Sequence, residues 1–209
     1  MALDSTALLT LAEAKDALRV TGSSEDVLLE RAVNVATLWA EHVCERRLKS
    51  RAVTSLRLAG PPGRRLYLPI VPISTTATLT VTHNGDAQTV WKVEADGDPE
   101  DFDVIVGPLT VPSSRMQPDY LYRSAGWSTS SWANPYNVLI SYTGGLSTIP
   151  DDLKDAVCML LQRVWREFKQ GTADMVSVNT PTGSVTFADR RLPPRAAQIL
   201  ESYRVLEFA

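Results

Sequence analysis

A chain of 209 residues, 44% hydrophobic and 22% charged, is long enough to bury one or two real cores and is neither disordered nor fibrous in composition. Its formal net charge is −3, and basic residues are spread among acids in every third of the sequence. That balance argues against affinity built on neutralising phosphates, which needs a basic stripe; steric enclosure of DNA stays compatible with it and groove reading does not. No apolar run approaches the roughly 18 residues of a membrane span. The opening MALDSTALLTLAEAKDALRV has acids among its apolar residues and does not read as a signal peptide. Cys44 and Cys158 fall on apolar stretches of predicted helices, where a free thiol behaves as a small hydrophobe, so a reducing cytosol is expected and a disulfide is not.

Thr10-x-x-Glu13 forms a capping box, in which hydroxyl and carboxylate satisfy backbone donors reciprocally, and it predicts a first helix running to about Arg19, before Thr21-Gly22. Ser23 or Ser24 is expected to cap a second, longer helix, with Glu25 and Asp26 complementing the positive end of its dipole. That helix carries two overlapping apolar rows: Leu28, Ala32, Val35 and Trp39 on one, and Leu29, Val33, Ala36, Ala40 and Val43 beside it. A stripe this wide exceeds what one packing partner needs. Either its own domain covers both sides, or a neighbouring subunit covers one.

From Ser50 to Tyr142 the pattern turns to short alternating runs broken by Pro and Gly: AVTSLRLAG, RRLYLP, TATLTVTH, QTVWKVEA, FDVIVG and NVLISYTGG. Such runs predict an antiparallel β-region, and His83-Asn84-Gly85-Asp86 is a strong hairpin signal. Leu109 to Pro135, rich in Ser, Pro and aromatics, reads as a long excursion of functional or disordered type. The third helix is announced by Leu153, Ala156, Val157, Leu160, Leu161, Val164, Trp165 and Phe168 at i, i+3, i+4 spacing, with Pro150 and Asp151-Asp152 at its start and Gly171 at its end. MVSVN, Thr180-Pro181-Thr182-Gly183 and SVTFA predict a second hairpin projecting from the body at about residues 175–188, and Pro193-Pro194 opens a short last helix.

The chemistry-bearing residues form no catalytic or metal pattern. His42 lies on the long helix and His83 at a hairpin turn, each expected in a surface or partly packed role, so neither a His-based triad nor a multi-histidine metal site is supported. The acidic run Glu94, Asp96, Asp98, Glu100, Asp101 and Asp103 lacks the Gly and the terminal Glu of an EF-hand loop and reads as solvated, with an adventitious cation site as the alternative. Gly60-Pro61-Pro62-Gly63-Arg64-Arg65 is Gly-rich and basic but has neither the P-loop pattern nor a following helix, so it reads as a turn between strands. Gly144-Gly145-Leu146-Ser147 has no nucleophile-elbow spacing. No cofactor is called for. Trp39 and Trp165 fall on helical apolar stripes and are expected in the core. Trp127 and Trp132, in the excursion, are candidates for partner contact, with local packing or ligand binding as the other readings.

The order of the blocks carries a resemblance. LTLAEAKDALRV followed by EDVLLERAVNVATLWAEHVCERRL, then a β-rich middle, YTGGLSTIPDDLKDAVCMLLQRVWREF and a closing ESYRVLEFA, resembles the head-tail connector adaptors of long-tailed bacteriophages and related gene-transfer particles. The match covers about half of the chain, in blocks near both ends. The middle, at about residues 84–135, and the hairpin at about 175–188 depart from compact members of that family.

The resemblance implies a structural virion protein and not an enzyme. It would sit in the neck, at the head-tail interface, after assembly in the host cytoplasm. It would form a ring of its own copies, typically dodecameric, beneath the portal protein, and offer a docking site to the next neck, stopper or tail component. Genome DNA would pass through without specific binding, and no membrane is involved. The C-terminal segment is expected to reach the portal, which points to Tyr203, Arg204, Val205, Leu206 and Phe208; an exposed apolar tail also needs a cover on general grounds, from a partner or from its own subunit. A ring needs heterologous contacts. Leu29, Val33, Ala36 and Ala40 on the long helix, with Val176, Val178, Val185 and Phe187 on the hairpin, are the candidates for them.

The expected architecture is α+β. A helical connector domain (residues 1–49 and 148–209) carries the hairpin and tail, and an antiparallel β-rich insert spans 50–147. The alternatives are another neck or tail component, such as a stopper or tail terminator, or less favoured, a carbohydrate-binding module on the tryptophans or a metal-dependent hydrolase on the acidic loop.

Overall fold

The capping box forms as its residue types require. In a computed structural model of the chain, Thr10 Oγ1 accepts from Glu13 N–H at 3.2 Å while Glu13 Oε2 accepts from Thr10 N–H at 2.7 Å, and α1 runs Leu11–Leu18 to a left-handed Arg19 at φ 53°. The structure describes residues 2–74, 76–91, 104–107, 120–128, 135–170, 177–180, 183–186 and 192–204. In chain order there follow α2 (Asp26–Val43), β1 (Arg51–Leu58), β2 (Gly63–Tyr67), β3 (Thr80–His83), β4 (Asp86–Gln88), β5 (Val90–Trp91), β6 (Val104–Gly107), β7 (Tyr120–Trp127) and β8 (Val138–Gly144). Then come α3 (Asp151–Gln170), β9 (Ser177–Thr180), β10 (Gly183–Thr186) and α4 (Pro194–Ser202). Helices and mainly antiparallel sheets together make this an α+β protein.

The chain divides into two units, Met1–Cys44 with Ile149–Tyr203, and Glu45–Thr148 with Arg204–Ala209. In the first, α2 packs on α3, α4 lies against both, and α1 closes on α2 and α3. Periodicity explains the packing. Leu153, Ala156, Val157, Leu160, Leu161 and Val164 line one stripe of α3 and are all buried, as are Leu29, Ala32, Val33, Ala36 and Ala40 on α2. Truncating a buried leucine such as Leu160 to Ala costs about 2–5 kcal/mol in such cores.

Ion pairs tie the outer edges: Glu13–Lys154 at 2.7 Å joins α1 to α3, Lys15–Asp26 at 2.6 Å joins α1 to α2, and Lys169 pairs with Glu25. Neither Ser23 nor Ser24 caps α2. Glu25 holds the cap position without a side-chain capping bond, and the backbone turns there with Asp26 N–H donating to Ser23 O. Trp39 and Trp165 are half-buried rather than central, each with a cation over its ring, Arg163 and Lys169 respectively. Gly171, expected to end α3, lies outside the described residues.

In the second unit one apolar cluster draws on two sheets, with Val81, Val138, Ile140 and Tyr142 from the order β1-β8-β3-β4, and Leu66, Val104, Leu121 and Trp127 from the order β2-β7-β6-β5. On β8 the residues alternate strictly, Val138, Ile140 and Tyr142 inward with Leu139, Ser141 and Thr143 between them, as a period of two demands. The hairpin signal holds: His83 pairs with Asp86 across Asn84 at φ 53° and Gly85 at φ 96°, the two left-handed positions of a type I′ turn. Two differences from the sequence reading follow from tertiary pairing. The supposed excursion at 109–135 contains an eight-residue strand, β7, which sits between β2 and β6; and β5 pairs with β6 in parallel, so the region is not wholly antiparallel.

Candidate functional site

The wide stripe of α2 is resolved by burial. Leu29, Val33, Ala36 and Ala40, expected as subunit contacts, have no exposed surface and pack inside the helical unit, so they are unavailable to a neighbour as the unit stands. The residues that α2 presents outward are Val27 (66% exposed), Leu38 (58%) and Val35 (38%). Beside this row the N-terminal segment is laid along the helix. Asn34 Oδ1 accepts from Asp4 N–H at 3.0 Å, its Nδ2 donates to Ala2 O at 3.2 Å, and Thr37 Oγ1 accepts from Leu8 N–H at 3.1 Å, with Ala7, Leu8 and Leu9 buried. No sequence signal marked this clamp, because Asn34 and Thr37 read as ordinary polar positions within a helix.

Of the C-terminal candidates, Tyr203 is half-buried and held: its phenol donates to Asp152 Oδ1 at 2.7 Å, and burial together with that carboxylate raises its pKa. Arg204 is exposed and pairs with Glu45 at 2.5 Å. Val205, Leu206 and Phe208 lie outside the described residues. So do Val176 and Phe187. Val178 and Val185 are direct backbone partners across the β9–β10 hairpin.

Trp127 is not a surface residue. It is 4% exposed, its Nε1–H donates to Arg64 O at 3.1 Å, and its ring meets His83 edge to face at 5.4 Å. Trp132 lies outside the described residues. His83 is likewise buried, deeper than a surface or partly packed position, with Ser128, just after β7, bonded to its ring. Its Nε2 lies 2.8 Å from Ser128 Oγ and 3.3 Å from Ser128 N.

Serine stands beside histidine here, and the surrounding bonds tie both into the fold. Ser128 Oγ already accepts from Asn84 Nδ2 at 2.8 Å and Asn137 Nδ2 at 3.3 Å, so its own proton goes to His83 Nε2 and the three groups form a clasp. Asn137 completes it, accepting from Gly60 N–H at 2.7 Å and donating to Ser128 O at 2.8 Å. Gly60 is required there, since a Cβ on it would lie 2.2 Å from Ser128 O. Sequence reasoning missed the clasp because its members come from four separate segments.

Among the described residues no group of three or more acidic, histidine or cysteine side chains is placed to hold a metal, and the acidic run at 94–103 lies outside them. Neither cysteine is in a disulfide; Cys44 is buried, its thiol donating to Leu200 O at 3.3 Å, and Cys158 is half-buried. No helix among the described residues is long and apolar enough to cross a membrane.

With this geometry in hand, the whole chain superposes on a chain from the neck of an empty GTA particle computed with C6 symmetry. The TM-score is 0.56 at 21% identity, over 100% of this chain and 95% of that one. The two chains share a fold. The virion of the native gene transfer agent (GTA) particle contains a similar chain, with TM-score 0.54, 22% identity and coverage of 100% and 95%. So does the neck of the native GTA particle computed with C12 symmetry, with TM-score 0.56, 20% identity and coverage of 100% and 94%. No family model matches the sequence. No curated protein matches it. The likeness is therefore one of three-dimensional fold.

Proposed function

We propose that the protein is a structural component of the neck of a phage-like particle, acting as a head-tail connector adaptor and not as an enzyme. The observation that carries this reading is the likeness in fold over the full chain to chains of GTA necks and virions, almost end to end in both partners. The order of sequence blocks that resembles adaptors supports it independently. In this reading the subunit joins copies of itself in a ring below the portal protein, extends the channel through which the genome passes, and seats the next neck or tail protein.

Two surfaces would serve that role. A ring needs one face of each subunit to meet a different face of the next, and the outward apolar row Val27, Val35 and Leu38 replaces the buried residues of α2 as the candidate for one of them. Val178 and Val185 of the hairpin, with the flanking Val176 and Phe187, stay candidates for the opposing face. The C-terminal segment is the candidate for portal docking. Tyr203, fixed on Asp152, would set where the segment leaves α4, and Arg204, Val205, Leu206 and Phe208 would make the contact.

The decisive experiment is electron microscopy of particles made when the gene is silenced in its producing host. Full or leaking heads beside separate, finished tails are expected. Normal tailed particles would remove the connector reading.

A further inference from the structure

The second sheet displays an array that the neck reading does not use. β2 and β7 pair with Arg65 opposite Tyr122, Leu66 opposite Leu121 and Tyr67 opposite Tyr120. Leu66 and Leu121 are buried, so the pleat turns Arg65, Tyr67, Tyr120 and Tyr122 to the other face. They form a connected set there. The Arg65 guanidinium lies 5.0 Å from the centre of the Tyr120 ring, Tyr67 meets Tyr120 edge to face at 5.9 Å, and Arg64 Nη1 donates to Tyr122 OH at 3.3 Å. Arg64 and Arg65 are exposed, and Tyr67 is 47% exposed.

Some arginines of the molecule meet carboxylates, as Arg195 does Asp155, Arg163 does Glu167 and Arg204 does Glu45, while Arg46 and Arg123 reach carbonyl and amide oxygens. Among the described residues, the partners of Arg64 and Arg65 on this face are a phenol oxygen and an aromatic ring, which orient a guanidinium without neutralising it. A planar guanidinium held beside a ring offers a fork of donors that matches a phosphate. Tyrosines two residues apart on one strand, about 7 Å between them, offer flat apolar surfaces next to that charge. Phosphates and flat rings at short, regular spacing are the chemistry of a nucleic-acid strand with unpaired bases, and the aromatic face of a small sheet is a recurrent platform for it. An acidic peptide would satisfy the arginines and leave the tyrosine rings without a matching surface.

We propose that the Arg64–Arg65–Tyr67–Tyr120–Tyr122 face of the second sheet binds single-stranded nucleic acid, with phosphates on the two arginines and a base stacked on the exposed Tyr67, beside the half-buried Tyr120 and Tyr122. The overall charge of −3 does not oppose this, because screening limits a distant charge to about 10 Å at ordinary salt and only the local face counts. Two arginines per subunit make the interaction weak and independent of sequence, and copies brought together would strengthen it by avidity. The inference does not rest on the neck assignment, since it concerns one face of one subunit.

The test is fluorescence anisotropy of the full chain with a labelled single-stranded oligothymidylate and with a duplex of the same length, at about 50 mM salt and upward. Binding is expected to favour the single strand, with a slope of log K against log salt of about −1.4, as two phosphate contacts require. Arg64→Ser with Arg65→Ser should abolish it, Tyr67→Ala should weaken single-strand binding about tenfold, and Tyr67→Phe, which keeps the ring, should leave it intact while circular dichroism reports an unchanged fold. The proposal is overturned if no binding appears at the lowest salt, if the double arginine variant binds as well as the parent, or if Tyr67→Ala has no effect and duplex binds equally. Displacement of the oligonucleotide by polyglutamate at equal charge concentration would also overturn it, giving the face to an acidic protein partner instead.

Discussion

The His83 imidazole sits where a proton is unwelcome. Burial lowers its affinity for one, the Arg123 guanidinium adds to that, and Asp86 opposes both, with the net result below the ordinary value of 6.5. Protonation would also remove the lone pair that accepts from Ser128, and with it the clasp that joins Asn84, Ser128 and Asn137. A group whose folded pKa is depressed gives stability that is complete above its unfolded value and is lost as pH falls through the folded one. The β-rich unit should therefore weaken from about pH 6.5 downward. The sequence has only two histidines, so the ring protons are readily assigned by NMR, and a midpoint for His83 at or above 6.5 would mean that Asp86 outweighs burial. Glu13 follows the same sign in a more acidic window. The bond from Lys154 and that from the Thr10 N–H hold its carboxyl down at about 2, from 4.5. Glu13→Ala should cost about 1 kcal/mol, chiefly the cap, because the ion pair is a third exposed and screened. Urea titrations of the helical signal should show that difference in full above pH 4.5 and shrinking toward pH 2.

At the scale of elements, α2 shows how a helix divides its apolar residues between its own fold and the outside. The inner rows are consumed by α3 and α4, while Val27, Val35 and Leu38 are left over. Exposed valine or leucine adds little to subunit stability, and surface changes lie within about 0.5 kcal/mol. Val27→Asp with Leu38→Asp should therefore leave the monomer folded, with an unchanged thermal transition, while, on the proposed neck reading, preventing its incorporation into assembled particles as seen by negative-stain microscopy. Normal incorporation would remove this row from the interface. The helices were legible because their periods are long and repeated, α3 above all, where Leu153 to Val164 place each buried side chain in advance. β7 was not. Its burial follows no clean alternation, Gly126 has φ 78°, and the run Arg123-Ser124-Ala125-Gly126 reads as loop until β2 and β6 supply the hydrogen bonds on either side. The missed parallel pair β5–β6 has the same cause, since two residues of strand carry no signal of direction.

For the whole molecule, composition and the periods of its apolar residues determined by themselves that the chain is α+β, with helices near both ends, a β-rich middle, a type I′ hairpin at Asn84-Gly85 and a capping box at Thr10. Each of these rests on neighbours within a few residues, so local sterics and hydrogen bonding suffice to write them in the sequence. Which side of α2 is free, that Trp127 and His83 are buried, and that Arg64 and Arg65 stand beside Tyr122 and Tyr120 were decided only by tertiary structure. The last two facts depend on residues some 45 to 63 positions apart, brought together by strand pairing, and the first on helices still farther apart along the chain, each with exclusion of water from its own core. No period along the chain encodes such a meeting. Burial is a property of the surface that remains once all elements have packed, and a tryptophan in a polar stretch reads the same in sequence whether a sheet closes over it or a partner does.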